Sequence, residues 1–164
     1  MISRVTCLLV MLLIGASSAF AQTIPLESFD KPFNAASKRI GSGISLIGAG
    51  CKPSECEFGA VPDLRLLVNG DSNNRNIEQV SAYLPRDAAD KARSRRSAIT
   101  ATAVATTLIA VFSPKVTPKK RGEAVMTMLN GATGAAKRGE IDLDGVNYAL
   151  SATQADNLRI YVTR

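Results

Sequence analysis

Lysine and arginine are the side chains through which this chain has most to offer a partner. Twenty of them stand against fourteen Asp and Glu, a formal charge of +6. They are unevenly placed. Between positions 86 and 138 lie eleven: Arg86, Lys91, Arg93, Arg95, Arg96, Lys115, Lys119, Lys120, Arg121, Lys137 and Arg138. The same stretch holds only three acids, Asp87, Asp90 and Glu123. The chemistry such a run supports is attraction of an anionic partner: lipid headgroups, an envelope polysaccharide or an acidic protein face. The plainer reading is a solvated helix surface, partly neutralised by Asp87–Lys91 and Asp90–Arg93 pairs at helical spacing. Nucleic acid is not expected, because no aromatic residue interleaves with the basic stretch to stack bases.

Cysteine is the second reactive type. Cys51 and Cys56 are spaced C-x-x-x-x-C, not C-x-x-C. That spacing, with no helix start to lower a thiol pKa, predicts a structural disulfide and not a redox pair. The short loop limits its chain-entropy effect to roughly 2–3 kcal/mol.

Catalytic candidates are sparse. The chain has no histidine and no tryptophan, which removes histidine-based catalysis and classical zinc sites. A Ser–Lys site stays open in principle, but no S-x-x-K box falls where such chemistry needs it. Glu55 and Glu57 flank Cys56 and would share a face on a strand, and paired carboxylates can do acid–base work. Residues 71–76 carry oxygens at alternating positions, as calcium loops do. Arg75 stands where a ligand is needed and the glycine is missing, so a surface turn is predicted. Asp142 and Asp144 echo the same pattern, but Asp144-Gly145 reads as a two-residue hairpin turn. No metal or cofactor is expected.

The elements that must hold these residues follow a leader. Residues 1–21 read as a secretory signal, with Arg4 as its positive end and Ala19-Phe20-Ala21 as the cleavage site. Residues 22–164 then form one domain in an oxidising compartment, periplasmic or secreted. Apolar residues make up 46% of the chain, enough for a core, but aromatics only 5%. Ala, Val, Ile and Leu must fill much of the interior.

After an extended arm at 22–30, Asp30 caps a helix with Pro32 in its first turn. Its stripe is Phe33, Ala36, Ile40, Ile44 and Ile47, with Gly48 and Gly50 ending it. A period of two then marks strands at 64–68 and 77–84, with a third near 57–61 ended by Pro62. A long helix follows Pro85 and runs from 86 to 112. Its uncharged part, 97–113, holds five Ala and four Thr and is read as a buried core helix, not a membrane span. Thr117-Pro118 starts another helix, whose apolar face is Val125, Met128, Leu129 and Ala132, thinned at its end by Gly131 and Gly134. Three alternating strands close the chain around Asp144-Gly145 and 155–157.

This order predicts an α+β fold: an antiparallel sheet of five to six strands with two or three helices on one face. If the two central helices form an antiparallel hairpin, Arg86, Lys91, Arg93, Arg95 and Arg96 lie near Lys137 and Arg138 at one end. Lys115, Lys119, Lys120 and Arg121 then gather at the other. The functional expectation is a non-enzymatic exported domain that engages a protein or anionic envelope component through this basic helical surface. Two alternatives are a small periplasmic hydrolase with a Ser/Lys or carboxylate site, and a peripheral membrane-surface protein.

Overall fold

The computed structural model describes residues 24–60, 63–71, 73, 76–85, 90–152 and 157–164. Residues 1–21, expected as a leader, together with Arg86, Asp87 and the expected turn residues Ala155 and Asp156, lie outside the described residues. The fold is α+β: a seven-stranded antiparallel sheet with three helices. The elements are α1 (Asp30–Ile40), β1 (Ile47–Lys52), β2 (Glu55–Ala60), β3 (Leu64–Gly70), β4 (Ile77–Pro85), α2 (Lys91–Phe112), α3 (Pro118–Thr133), β5 (Arg138–Leu143), β6 (Val146–Ala152) and β7 (Asn157–Thr163).

Sheet order is β1-β2-β3-β4-β7-β6-β5. The first four strands form a meander. The chain then crosses through α2 and α3 to the far edge and returns through β5 and β6, so that β7 pairs with β4. Alternation sorts the two faces. Cys56, Phe58, Leu66, Val68, Val80, Ala82, Leu158, Ile160, Tyr148 and Leu150 are buried beneath the helices. Glu57, Arg65, Tyr83, Arg159, Tyr161, Arg138 and Glu140 alternate with them and form the opposite, open face.

α2 is the central rod of the helical layer. It contacts α1 on one side, α3 on the other, and β4 and β7 beneath. Its buried residues include Ala101, Val104, Ala105, Leu108 and Ile109. The small alanines bring helix and sheet close, and Thr102, Thr106 and Thr107 return their hydroxyls to carbonyls four residues back. No described helix is long and apolar enough to cross a membrane.

The few aromatic side chains are concentrated. The Phe29 ring lies 5.9–6.0 Å from those of Phe33, Phe58 and Phe112. The segment before α1 is therefore docked and not an extended arm: Leu26–Ser28 forms a 3-10 turn, and Leu26 and Phe29 are fully buried. Two large apolar side chains cannot remain in water when a core is at hand.

The first helix is shorter than its apolar stripe suggests. It ends at Ile40, with Gly41 in the left-handed conformation at φ 70°. Ile44 and Leu46 still enter the core, but from irregular chain, and Ile47 is 73% exposed at the start of β1. Side chains hold this exit. Asn34 donates to the Leu46 carbonyl (2.9 Å) and accepts from its N–H (2.7 Å). The Ser37 hydroxyl accepts from Ile44 N–H and donates to its carbonyl. These contacts replace helical bonds, and β1 becomes a strand that the stripe conceals.

Pro85 closes β4 and does not open α2. The α2 N-cap is Asp90, whose carboxylate accepts the Arg93 N–H at 2.9 Å. Thr117 and Pro118 start α3 as the sequence implies. Asp144 and Gly145 both adopt positive φ (52° and 77°), the conformation of a two-residue hairpin turn. The Cys51–Cys56 disulfide joins directly opposed residues of the β1–β2 hairpin.

Candidate functional site

The charged surface begins where α2 is anchored. Asp90 caps its first turn, and the Ser97 hydroxyl donates to the Pro85 carbonyl at 2.6 Å. With the α2 core stripe facing the sheet, the cations of its first two turns point elsewhere. Lys91, Arg95 and Arg96 are exposed, and Arg93 is half-buried. Arg93 does not pair with Asp90 through its guanidinium. That group reaches Asp63 at 3.0 Å, at the start of β3, while Asp90 takes the Arg93 backbone.

The sheet brings the two ends of the helix pair together. Lys137 accepts the N–H of Ala152, which pairs with Leu158, which pairs with Leu84. Three strand spacings, roughly 14 Å, therefore separate Lys137 from the end of β4 that leads to α2. Lys115, Lys119 and Lys120 are exposed at the opposite end, where α2 gives way to α3. A helix of this length spans about 33 Å. Arg121 is spent on structure, donating to the Val116 carbonyl at 2.8 Å. Lys119 approaches Glu123 at 4.0 Å. Lys91, Arg95, Arg96, Lys115, Lys120 and Lys137 have no ion-pair partner among the described residues.

Arg138 departs from this layer. It opens β5 on the open face of the sheet, 6.0 Å over the Tyr161 ring and 3.0 Å from Glu140. A second group joins it there that sequence reading missed. Arg65, Tyr83, Arg159, Ser151 and Arg138 are successive cross-strand neighbours. The Arg159 guanidinium lies 5.1 Å over the Tyr83 ring. Aromatic and cationic residues do interleave, then, but across strands and away from the basic stretch. The alternation of Arg65, Tyr83, Arg159 and Tyr161 with apolar residues was the signal for this face; the pairing partners depend on register.

A cleft of about 390 Å³ opens beside the first turns of α2. Leu64, Leu84, Pro85 and Ile99 supply apolar walls, Ser97 and Thr100 line one side, and Arg93, Arg96 and Asp63 stand at its margin. A second cleft of about 350 Å³ lies between α1 and α2, lined by Ile40, Ser42, Ile99, Thr102, Ala103 and Thr106. Ile99 is common to both and is 61% exposed.

The catalytic alternatives fare differently. Glu55 and Glu57 do share the open face, but each faces a cation. Glu55 lies 3.6 Å from Lys52, and Glu57 holds Arg65 through two nitrogens. The hydrogen bond from Arg65 holds the Glu57 carboxyl below its ordinary range, so it stays ionised at neutral pH, the opposite of what a general acid needs. Three of the four buried serines among the described residues are held by hydrogen bonds: Ser37 with Ile44, Ser97 with Pro85, Ser113 with Tyr148 and Leu143. Among the described residues no group of three His, Cys, Asp or Glu is placed to hold a metal. Comparison with protein families, curated proteins and solved structures finds no match to this chain.

Proposed function

We propose that this chain is an exported, non-enzymatic binding domain, periplasmic or secreted, that engages a protein or anionic envelope component through its helical layer. One observation carries the reading. The segment from Asp90 to Lys137 presents nine Lys and Arg with only Asp90 and Glu123 to oppose them, and six of the nine lack an ion-pair partner among the described residues. Clustered cations of one sign raise the local concentration of anionic partners and speed their encounter. A disulfide between the two cysteines of residues 22–164 suits an oxidising compartment.

The test compares affinity capture from an envelope fraction by the wild-type protein with that by K119E/K120E/R121E and by R95E/R96E. Loss of the captured species with either variant, and weakening as salt rises, is the expected result. Unchanged capture by both overturns the reading. Mass spectrometry of the exported protein tests the compartment: it should begin at Gln22 and carry the Cys51–Cys56 bond. Material that retains Met1 and carries Cys51 and Cys56 as free thiols contradicts export.

A further inference from the structure

We infer that the two clefts beside α2 bind one long-chain carboxylate, a single-chain fatty-acid anion. Its headgroup lies at Arg96 and Arg93, and its chain runs over Ile99. The inference deepens the proposed function by naming a ligand class at one end of the basic layer, and it rests on that reading only through these two arginines.

Three observations converge. Ile99 is one of three exposed large apolar side chains among the described residues, with Ile47 and Met126. A lone exposed Ile needs no explanation. This one is the shared wall of two concavities, and it continues an apolar lining of Leu64, Leu84 and Pro85 in one direction and Ile40 and Ala103 in the other. Water there hydrates apolar surface that a hydrocarbon chain would cover.

Charge selects the sign of the headgroup. The one acid at the margin among the described residues, Asp63, already holds Arg93 at 3.0 Å, while Arg96 is exposed with no ion-pair partner among them. A carboxylate there meets one free guanidinium and one shared with Asp63; an ammonium group would meet two cations. Size selects the chain. Each cleft, at about 390 and 350 Å³, is near the lower end of the ~300–1,000 Å³ typical of small-molecule sites. That suits one acyl chain laid along both, and not the paired chains of a phospholipid.

The experiment is calorimetric titration of the oxidised protein with monomeric dodecanoate, dodecyltrimethylammonium and acetate. Dodecanoate should bind, the cationic amphiphile at least tenfold more weakly, and acetate not at all. R96E should weaken dodecanoate at least tenfold and I99D should abolish it, while K119E/K120E/R121E leaves it unchanged. Because substitutions can perturb folding, backbone amide NMR of the wild-type protein is the second readout: dodecanoate should shift resonances at 96–106 and near Ile40. Absence of dodecanoate binding, equal binding by I99D, equal affinity for the cation, or shifts confined to other regions overturns the inference. Dodecanoate binding with unchanged envelope capture by the charge-reversed variants would retain the cleft and remove the broader reading. The converse would remove the cleft alone.

Discussion

Gly131 of α3 and Gly139 of β5 meet backbone to backbone. A Cβ on Gly131 would overlap the Gly139 Cα and stand 2.8 Å from the Arg138 carbonyl oxygen. A Cβ on Gly139 would overlap the Met128 carbonyl and stand 2.7 Å from its Cα. The contact sets how closely α3 lies on the edge strand, and it fixes the helical layer that carries Lys119 and Lys120.

Gly131→Ala is therefore an informative substitution. In an open helix the change would stabilise by about 1 kcal/mol. Here overpacking against backbone should reverse the sign and cost roughly 1–3 kcal/mol or more. Gly139→Ala should cost at least as much. Urea denaturation checks both, with the midpoint falling and the slope unchanged. A stabilised Gly131→Ala protein would show that helix and strand do not touch as described.

The exit from α1 depends on Asn34. It satisfies both backbone groups of Leu46. Asn34→Ala should cost about 1–3 kcal/mol by leaving partly buried backbone groups unpaired. Asn34→Asp keeps the acceptor for Leu46 N–H and loses the donor to its carbonyl, so it too should destabilise. Hydrogen exchange at Leu46 should accelerate in both variants.

Tyr148 is fully buried, and its hydroxyl meets Ser113 Oγ at 2.8 Å. Burial pushes its pKa up from 10.0 to about 12, while the Ser113 bond and Arg164 pull the other way. The raised value means the fold favours the protonated form. Its contribution is whole below about pH 10, the unfolded value, and is lost as pH rises through about 12. Tyr148→Phe should remove this part of the alkaline loss of stability. At neutral pH it should cost about 1 kcal/mol for the missing hydrogen bond. Thermal melts of both proteins across pH 7–12 provide the comparison.

Replacing Cys51 and Cys56 by alanine should cost about 2 kcal/mol, as expected for a bridge closing so short a loop. Because the sheet already pairs these strands through Ile47–Gly59 and Lys52–Glu55, the variant should retain its circular-dichroism spectrum. Collapse of the fold would mean the bridge, and not the core, holds β1 in place.

Much of the fold was legible because local chemistry and period agreed. Thr117-Pro118 started α3, Asp144-Gly145 turned a hairpin, and alternation marked β3, β4, β6 and β7. The strand count rose from the expected five or six to seven because β1 hid in an apolar stripe with helical spacing. A stripe of Ile40, Ile44 and Ile47 does not reveal that Gly41 turns left-handed or that Asn34 and Ser37 capture the chain beyond it.

The basic residues themselves were plain in the sequence, since charge and its clustering along the chain need no structure. So were the disulfide spacing and the α+β class, each set by nearest neighbours or by period. Which cations stay unpaired was decided only in three dimensions. Arg93 turned to Asp63, thirty residues away, and Arg138 to Tyr161 and Glu140 by its strand's choice of face, while Arg121 folded back on the nearby Val116 carbonyl at the start of α3. The cleft at Ile99 likewise exists only because α2 crosses the ends of β3 and β4 beside α1. Sequence sets each side chain's chemistry and local period; packing and strand register set its neighbours.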